Sequence, residues 1–167
     1  MIEGLELATS ENTFADVEYM PASENGGKSP FVVKLAYIEK QELKRLLKQH
    51  TRPTWKNHQP AEPEVDDSTF DPAFNARAIK DWSGLTIEGF KKIVGVRLSA
   101  DLQEKWKDGI PCDESTRNYL MQHSYKFSQW VLDGVQNLSL FQESLEAEAD
   151  QNFTNTSGKK QRKPPAN

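Results

Sequence analysis

The segment from Asp113 to Leu138 carries the strongest helical pattern in the chain. Asp113 or Ser115 can cap its start, and its apolar residues recur at helical spacing. This apolar face consists of Leu120, Phe127, Trp130, Val131, Val135 and Leu138. One long helix and two helices separated by a break between His123 and Lys126 fit the pattern equally well. The C-terminal half therefore predicts a helical layer that packs against the rest of the fold.

The N-terminal half predicts a small sheet. Phe31 to Ile38 has the length and the β-branched and aromatic content of a strand. A second short strand is expected near Phe14 to Met20, and the loop from Pro21 to Pro30 is long enough to connect the two. We therefore expect an α+β fold, mainly α-helical, with a small N-terminal antiparallel β-sheet or hairpin packed by helices.

Four further segments predict helices by their spacing and their caps. They are Glu39 to Gln49, Phe70 to Trp82, Thr86 to Val94 and Ser99 to Trp106. In the second of these, Asp71 is the expected N-cap and Pro72 the first helical residue. In the third, Gly89 is expected to cost up to about 1 kcal/mol relative to alanine.

A length of 167 residues favours one domain with tails. We expect a flexible N-terminus at 1–12, a single domain at 13–149 and a disordered basic tail at 150–167. Within the domain, residues 51–69 contain three prolines and many acidic residues. This composition predicts an extended, proline-rich linker.

The chain offers few residues for metal or nucleophilic chemistry. It has one cysteine, Cys112, and three histidines, at His50, His58 and His123. Their spacing matches neither a structural zinc site nor the paired histidines of a zinc protease. A helix start can lower the pKa of a thiol such as that of Cys112, but Asp113 and Glu114 oppose this effect. We expect no enzyme activity, no cofactor and no metal.

The net charge of −4 hides an uneven distribution. Four basic residues stand together near the C-terminus, at Lys159, Lys160, Arg162 and Lys163. The remainder is more acidic than the whole, which is a poor match for a nucleic-acid-binding domain. With no apolar run long enough for a membrane span and no signal-peptide pattern at the start, we expect a soluble cytoplasmic protein without a membrane partner.

Aromatic residues supply the remaining candidates. Trp82 lies on an apolar stripe, where core anchoring is expected. Next to it, Asp81 can accept backbone N–H groups and Gly84 permits a left-handed turn, so this piece predicts a structural corner. Trp55, in the proline-rich segment, is a candidate for a partner contact or for a strap, and the basic tail is the other candidate partner contact.

Three segments in order resemble the tail assembly chaperones of long-tailed bacteriophages and prophages. They are FVVKLAYIEKQELKRLL at 31–47, AIKDWSGL at 78–85 and IPCDESTRNYLMQHSYKFSQWVLDGV at 110–135. The first is similar to the family's strand and charged helix, and the second to its aliphatic-Asp-Trp-x-Gly turn. The third is similar to its Pro-led helix ending in Phe-x-x-Trp, here Phe127 and Trp130. The segments cover about a third of the chain.

The resemblance implies a non-catalytic assembly factor of the host bacterial cytoplasm that is absent from the mature virion. Such proteins bind the long helical tape-measure protein and keep it from aggregating until tail-tube subunits polymerise around it. The implied partners are the tape-measure protein, the tail-tube protein and a longer form of the chain made by ribosomal frameshifting. Gly158 to Lys160 is a candidate position for that frameshift.

Two alternatives belong to other classes. A structural tail component or head-tail connector would be retained in purified particles. A nucleic-acid-associated phage regulator would use the basic tail, and its binding to duplex DNA would weaken steeply with salt.

Overall fold

Five strands form two separate sheets in the computed structural model, which describes residues 13–143 and residue 146. The strands are β1 (Phe14–Met20), β2 (Phe31–Ala36), β3 (Thr51–Lys56), β4 (Gln59–Val65) and β5 (Ile79–Ser83). One sheet has the antiparallel order β1-β2-β5, and the other is the hairpin β3-β4. The expected tails at 1–12 and 150–167 lie outside the described residues.

Helices account for most of the remaining chain. They are α1 (Lys40–Gln49), α2 (Asp67–Ala78), α3 (Ile87–Val94), α4 (Ala100–Lys105), α5 (Glu114–His123) and α6 (Tyr125–Gln136), and residues 138–143 are also helical. Helices and a small N-terminal antiparallel sheet together confirm the predicted α+β class. None of the helices in the described part of the chain is long and apolar enough to cross a membrane.

The core lies between one face of the three-stranded sheet and the helices. The side chains of Phe31, Val33 and Leu35 on β2 are fully buried, whereas Lys34 between them is exposed. Val33 pairs with Val17 on β1 and with Trp82 on β5. This alternation follows from the two-residue period of a strand, which turns one face of the sheet towards the helices.

The C-terminal helical segment is broken at Ser124. This residue ends α5 and caps α6, and its hydroxyl accepts a hydrogen bond from the backbone N–H of Phe127 at 3.2 Å. The two-helix alternative is therefore the observed one. The break turns the fully buried residues of α6 towards the core, where Phe127 stacks on Phe31 with ring centroids 6.1 Å apart.

The prediction of a helix from Phe70 to Trp82 is wrong at both ends. The helix begins at Asp67 and ends at Ala78, so Pro72 lies inside it, and the N-cap position belongs to Asp66 instead of Asp71. The following residues form β5, since pairing with β2 buries Ile79 and Trp82 in the sheet. Ile79 and Trp82 are three residues apart, which suits a helix. Pairing with the distant strand β2 nevertheless makes this segment a strand.

The prediction of an extended linker at 51–69 is also wrong. This stretch forms the hairpin β3-β4 and then the first turn of α2. Asn57 and His58 connect the strands with φ values of 51° and 63°, the left-handed pair found in tight hairpin turns. Prolines are compatible with this hairpin because each strand of a two-stranded ribbon leaves one side without a partner.

Candidate functional site

The segment from Asp81 to Gly84 forms a corner between β5 and α3. The carboxylate of Asp81 accepts a hydrogen bond from the backbone N–H of Trp82 at 2.8 Å. The indole Nε1 of Trp82 donates to the carbonyl of Ile110 at 2.8 Å, which ties the corner to the segment before α5. Gly84 has a φ of +78° and redirects the chain. These contacts give the corner a structural role.

Asn25 is the residue at this corner that the sequence pattern did not single out. Its fully buried side chain donates to the carbonyls of Ser29, at 2.8 Å, and Gly84. Its Oδ1 accepts the backbone N–H of Thr86 at 3.2 Å. The loop between β1 and β2 is thereby fastened to the start of α3. An Asn followed by Gly26 and Gly27 marks a turn, but nothing local indicates partners so distant in sequence.

Replacing Gly89 with alanine is expected to destabilise the protein, although Gly89 lies inside α3. Alanine normally gains up to about 1 kcal/mol over glycine in a helix. Here an added Cβ would come within 2.0 Å of the Oδ1 atom of Asn25. Relieving that overlap breaks the Asn25 contacts, so we expect the free energy of unfolding to fall by about 2 kcal/mol in urea denaturation.

The control for this prediction is the Asn25→Ala background, which removes the obstructing oxygen. In that background Gly89→Ala is expected to be neutral or stabilising. Equal losses in both backgrounds would show that the Asn25 amide is not the cause.

Phe127 and Trp130 lie beneath the sheet, in an aromatic cluster that reaches the corner. Tyr19 packs edge-on against Phe127 at 5.0 Å and against Trp130 at 4.9 Å between ring centroids. Phe31 contacts Phe127 on one side and Trp82 on the other, with centroids 5.9 Å apart in the second pair. The corner and the aromatic cluster are therefore joined through the ring of Phe31.

The histidines and Cys112 lie at separate places in the fold. His50 ends α1, His58 is in the hairpin turn and His123 ends α5. Within residues 13–143 and 146, no group of three His, Cys, Asp or Glu side chains is arranged to hold a metal ion. Burial raises the pKa of the Cys112 thiol to about 11, so this thiol is protonated at neutral pH.

The hairpin β3-β4, with its turn, is largely exposed, and we name it the arm. None of its strand residues is buried. Its base is fixed by the backbone N–H of Asp66, which donates to the carbonyl of His50 at 2.7 Å, and by the ion pair of Arg52 with Asp66 at 2.6 Å. The arm therefore leaves the body as a short ribbon with two anchored ends.

Trp55 stands near the tip of the arm, opposite Pro60 in the strand register. Its side chain is 67% exposed, whereas Trp82 in the core is 7% exposed. Arg52 and Lys56 on the same strand are also exposed. The other predicted partner contacts, Lys159, Lys160, Arg162 and Lys163, lie outside the described residues.

Comparison with models of protein families, with curated protein sequences and with solved structures finds no match for this chain. The residues described above are therefore the basis for a functional proposal. They comprise a structural corner, an aromatic core and an exposed arm with a tryptophan near its tip.

Proposed function

We propose that this chain is a non-catalytic phage tail assembly chaperone that binds the tape-measure protein in the host bacterial cytoplasm and is left out of the mature virion. The observation that carries the proposal is Trp55, a large apolar side chain held in solvent on an arm without buried strand residues. An indole in this position contributes little to folding. Buried against another polypeptide, it can supply much of the binding energy.

The arm is suited to contact through side chains rather than through strand addition. Pro53 on β3 and Pro60 and Pro63 on β4 lack the N–H groups that a docking strand needs. The arm therefore presents its indole and its charges without inviting aggregation along its edges. Contacts of this kind are individually weak, and repetition along one long client supplies avidity while each contact remains reversible.

The resemblance of the three segments to tail assembly chaperones supports the same proposal. Two of these segments form the corner at Trp82 and the aromatic cluster around Phe127 and Trp130, which have structural contacts in this fold. The high pKa of Cys112 fits a role without covalent catalysis. For the proposed function, the rest of the fold has to support the arm stably.

The test is co-expression with the tape-measure protein encoded nearby. We expect the tape-measure protein to stay in the soluble fraction with the wild-type chain and to precipitate without it. Trp55→Ala is expected to weaken the complex at least about tenfold, measured as the dissociation constant of the purified pair, because exposed aromatic anchors dominate such contacts.

Tyr125→Ala is the matched control, because Tyr125 is an aromatic residue that is 81% exposed on α6. It is expected to leave the dissociation constant unchanged. If both variants weaken binding equally, the arm has no special role. If the tape-measure protein is equally soluble without the chain, or if the chain is a stoichiometric part of purified particles, the chaperone proposal is wrong.

A further inference from the structure

A second surface lies between α2, α5 and α6, away from the tip of the arm. These helices enclose an open cleft of about 620 Å³. Its apolar lining consists of Phe70, Phe74, Met121 and Leu132, together with the ring of Pro72. Phe70 and Phe74 stack with centroids 5.8 Å apart, and all these side chains except the buried Phe74 are partly exposed. The cleft is therefore an ordered apolar groove that solvent reaches.

Two asparagine side chains that line the cleft link α2 to α5. The buried Asn75 on α2 donates a hydrogen bond from Nδ2 to Oδ1 of Asn118 on α5 at 3.0 Å. This bond pairs one donor and one acceptor across the helix interface and links the two helices. The groove is thus set by packing and hydrogen bonding, and a ligand does not have to create it.

The charged side chains that line the cleft, among the described residues, are acidic. Asp67 and Asp71 line it, and no Lys or Arg is among the described residues that do so. Within the described chain, neither carboxylate forms a salt bridge. Partial burial and the nearby charge of Asp67 raise the pKa of Asp71. The helix dipole stabilises an acidic residue in the first turn, which explains the position of Asp67. Asp71 lies beyond the first turn of α2, so the dipole does not explain its position.

We propose that this cleft binds an amphipathic helix of another polypeptide, with apolar side chains in the groove and Lys or Arg residues beside Asp67 and Asp71. A volume of about 620 Å³ suits the few apolar side chains that one helix face presents. A cation placed there would relieve the repulsion between the two carboxylates. An acidic helix would add to that repulsion, so charge selects the class of partner.

The inference rests on the proposed function only in taking a second polypeptide as the occupant. It assigns a surface other than the arm and a chemical class of client segment. If the cleft binds no peptide, Trp55 remains the proposed contact with the tape-measure protein. If the chaperone proposal is wrong, peptide binding by the cleft is still a valid result.

The test measures the fluorescence anisotropy of labelled amphipathic peptides of about 18 residues, or five turns. Three peptides share one leucine stripe and carry lysine, glutamine or glutamate on the polar face. The full-length chain is expected to bind the lysine peptide most tightly and the glutamate peptide least. Asp67→Asn with Asp71→Asn is expected to weaken binding of the lysine peptide about fivefold and to leave the glutamine peptide unchanged.

The control for total charge is Asp16→Asn with Asp101→Asn, which removes two exposed carboxylates outside the cleft. Equal weakening by this pair would overturn the proposal, because attraction would then be general. Met121→Gln tests the apolar lining and is expected to weaken all three peptides, with circular dichroism confirming the fold. Unchanged binding by this variant would also overturn the proposal.

Two other occupants give distinct results. If deletion of residues 151–167 strengthens peptide binding, the chain's own basic tail is the occupant and the proposal is wrong. If the chain sediments as a dimer that Met121→Gln dissociates, the occupant is a second copy and the proposal is equally wrong. A monomer whose peptide affinity is unchanged by the deletion supports the assignment.

Discussion

Gly84→Ala is expected to lower the free energy of unfolding by about 3 to 4 kcal/mol, from two separate effects. Gly84 has a φ of +78°, which a residue with a side chain adopts only at a cost. In addition, an added Cβ would lie 2.1 Å from the carbonyl oxygen of Pro30. That oxygen belongs to the backbone next to β2, so it cannot move aside as a flexible side chain would. Urea denaturation followed by circular dichroism measures the loss.

Gly27→Ala is the matched control, since it separates backbone strain from steric overlap. Gly27 has a φ of +84°, but an added Cβ there meets nothing within 4 Å. Gly27→Ala should therefore show the strain alone, about 1 kcal/mol. If the two variants lower the free energy of unfolding equally, the close approach to Pro30 does not contribute to the destabilisation.

Trp82→Ala is expected to lower the free energy of unfolding by about 4 kcal/mol, because it leaves a cavity in the core and removes a hydrogen bond. Trp82 is buried against Phe31, and its Nε1 donates to the carbonyl of Ile110 at 2.8 Å. Since domains of this size are stable by only about 5 to 15 kcal/mol, this is a large share of the total. Chemical denaturation monitored in the far ultraviolet measures it.

Trp82→Phe isolates the hydrogen bond, because it keeps an aromatic ring and removes the donor. The expected loss is about 1 to 2 kcal/mol, from the unsatisfied carbonyl of Ile110. Trp55→Ala is the control for tryptophan removal in general, and its exposed position predicts a change within about 0.5 kcal/mol. A Trp82→Phe variant as stable as the wild type would refute the role given to the indole N–H.

The elements that the sequence predicts well are those whose signals are local. The strand at Phe31 carries its own alternation, and the helices α3, α4 and α5 carry caps at Thr86, Ser99 and Asp113 whose side chains accept backbone N–H groups. Such signals act within one turn of the chain, so a single sequence contains them.

The errors concern pairing between distant segments and the chemistry of one turn. Ile79 to Ser83 has helical spacing, and only its partner β2 makes it a strand. In the arm, three prolines make the sequence of two strands look like a linker. The turn at Asn57 and His58 also lacks the glycine that usually marks a tight hairpin. Proline is normally evidence against a strand, but a ribbon with open edges accepts it.

The candidate contacts were predictable only in part. The isolation of Trp55 among polar residues and prolines marks it as separate from the core, and the structure places it in solvent. The cleft between α2, α5 and α6 depends on how three helices pack, and no spacing in the sequence indicates that. Asn25 is similar, since its partners near Gly84 and Thr86 become neighbours only after the sheet has formed.

Because the two ends of the arm are paired at its base, the rest of the arm can be exchanged without changing the core. Thr51 and Val65 lie side by side in the register, and the link between His50 and Asp66 closes the base independently of what lies above it. Residues added or lost in pairs beyond that point change the reach of the ribbon and preserve its alternation of faces. The tip can therefore diversify in length and composition while the core stays the same, and it is a natural position for grafting a foreign epitope.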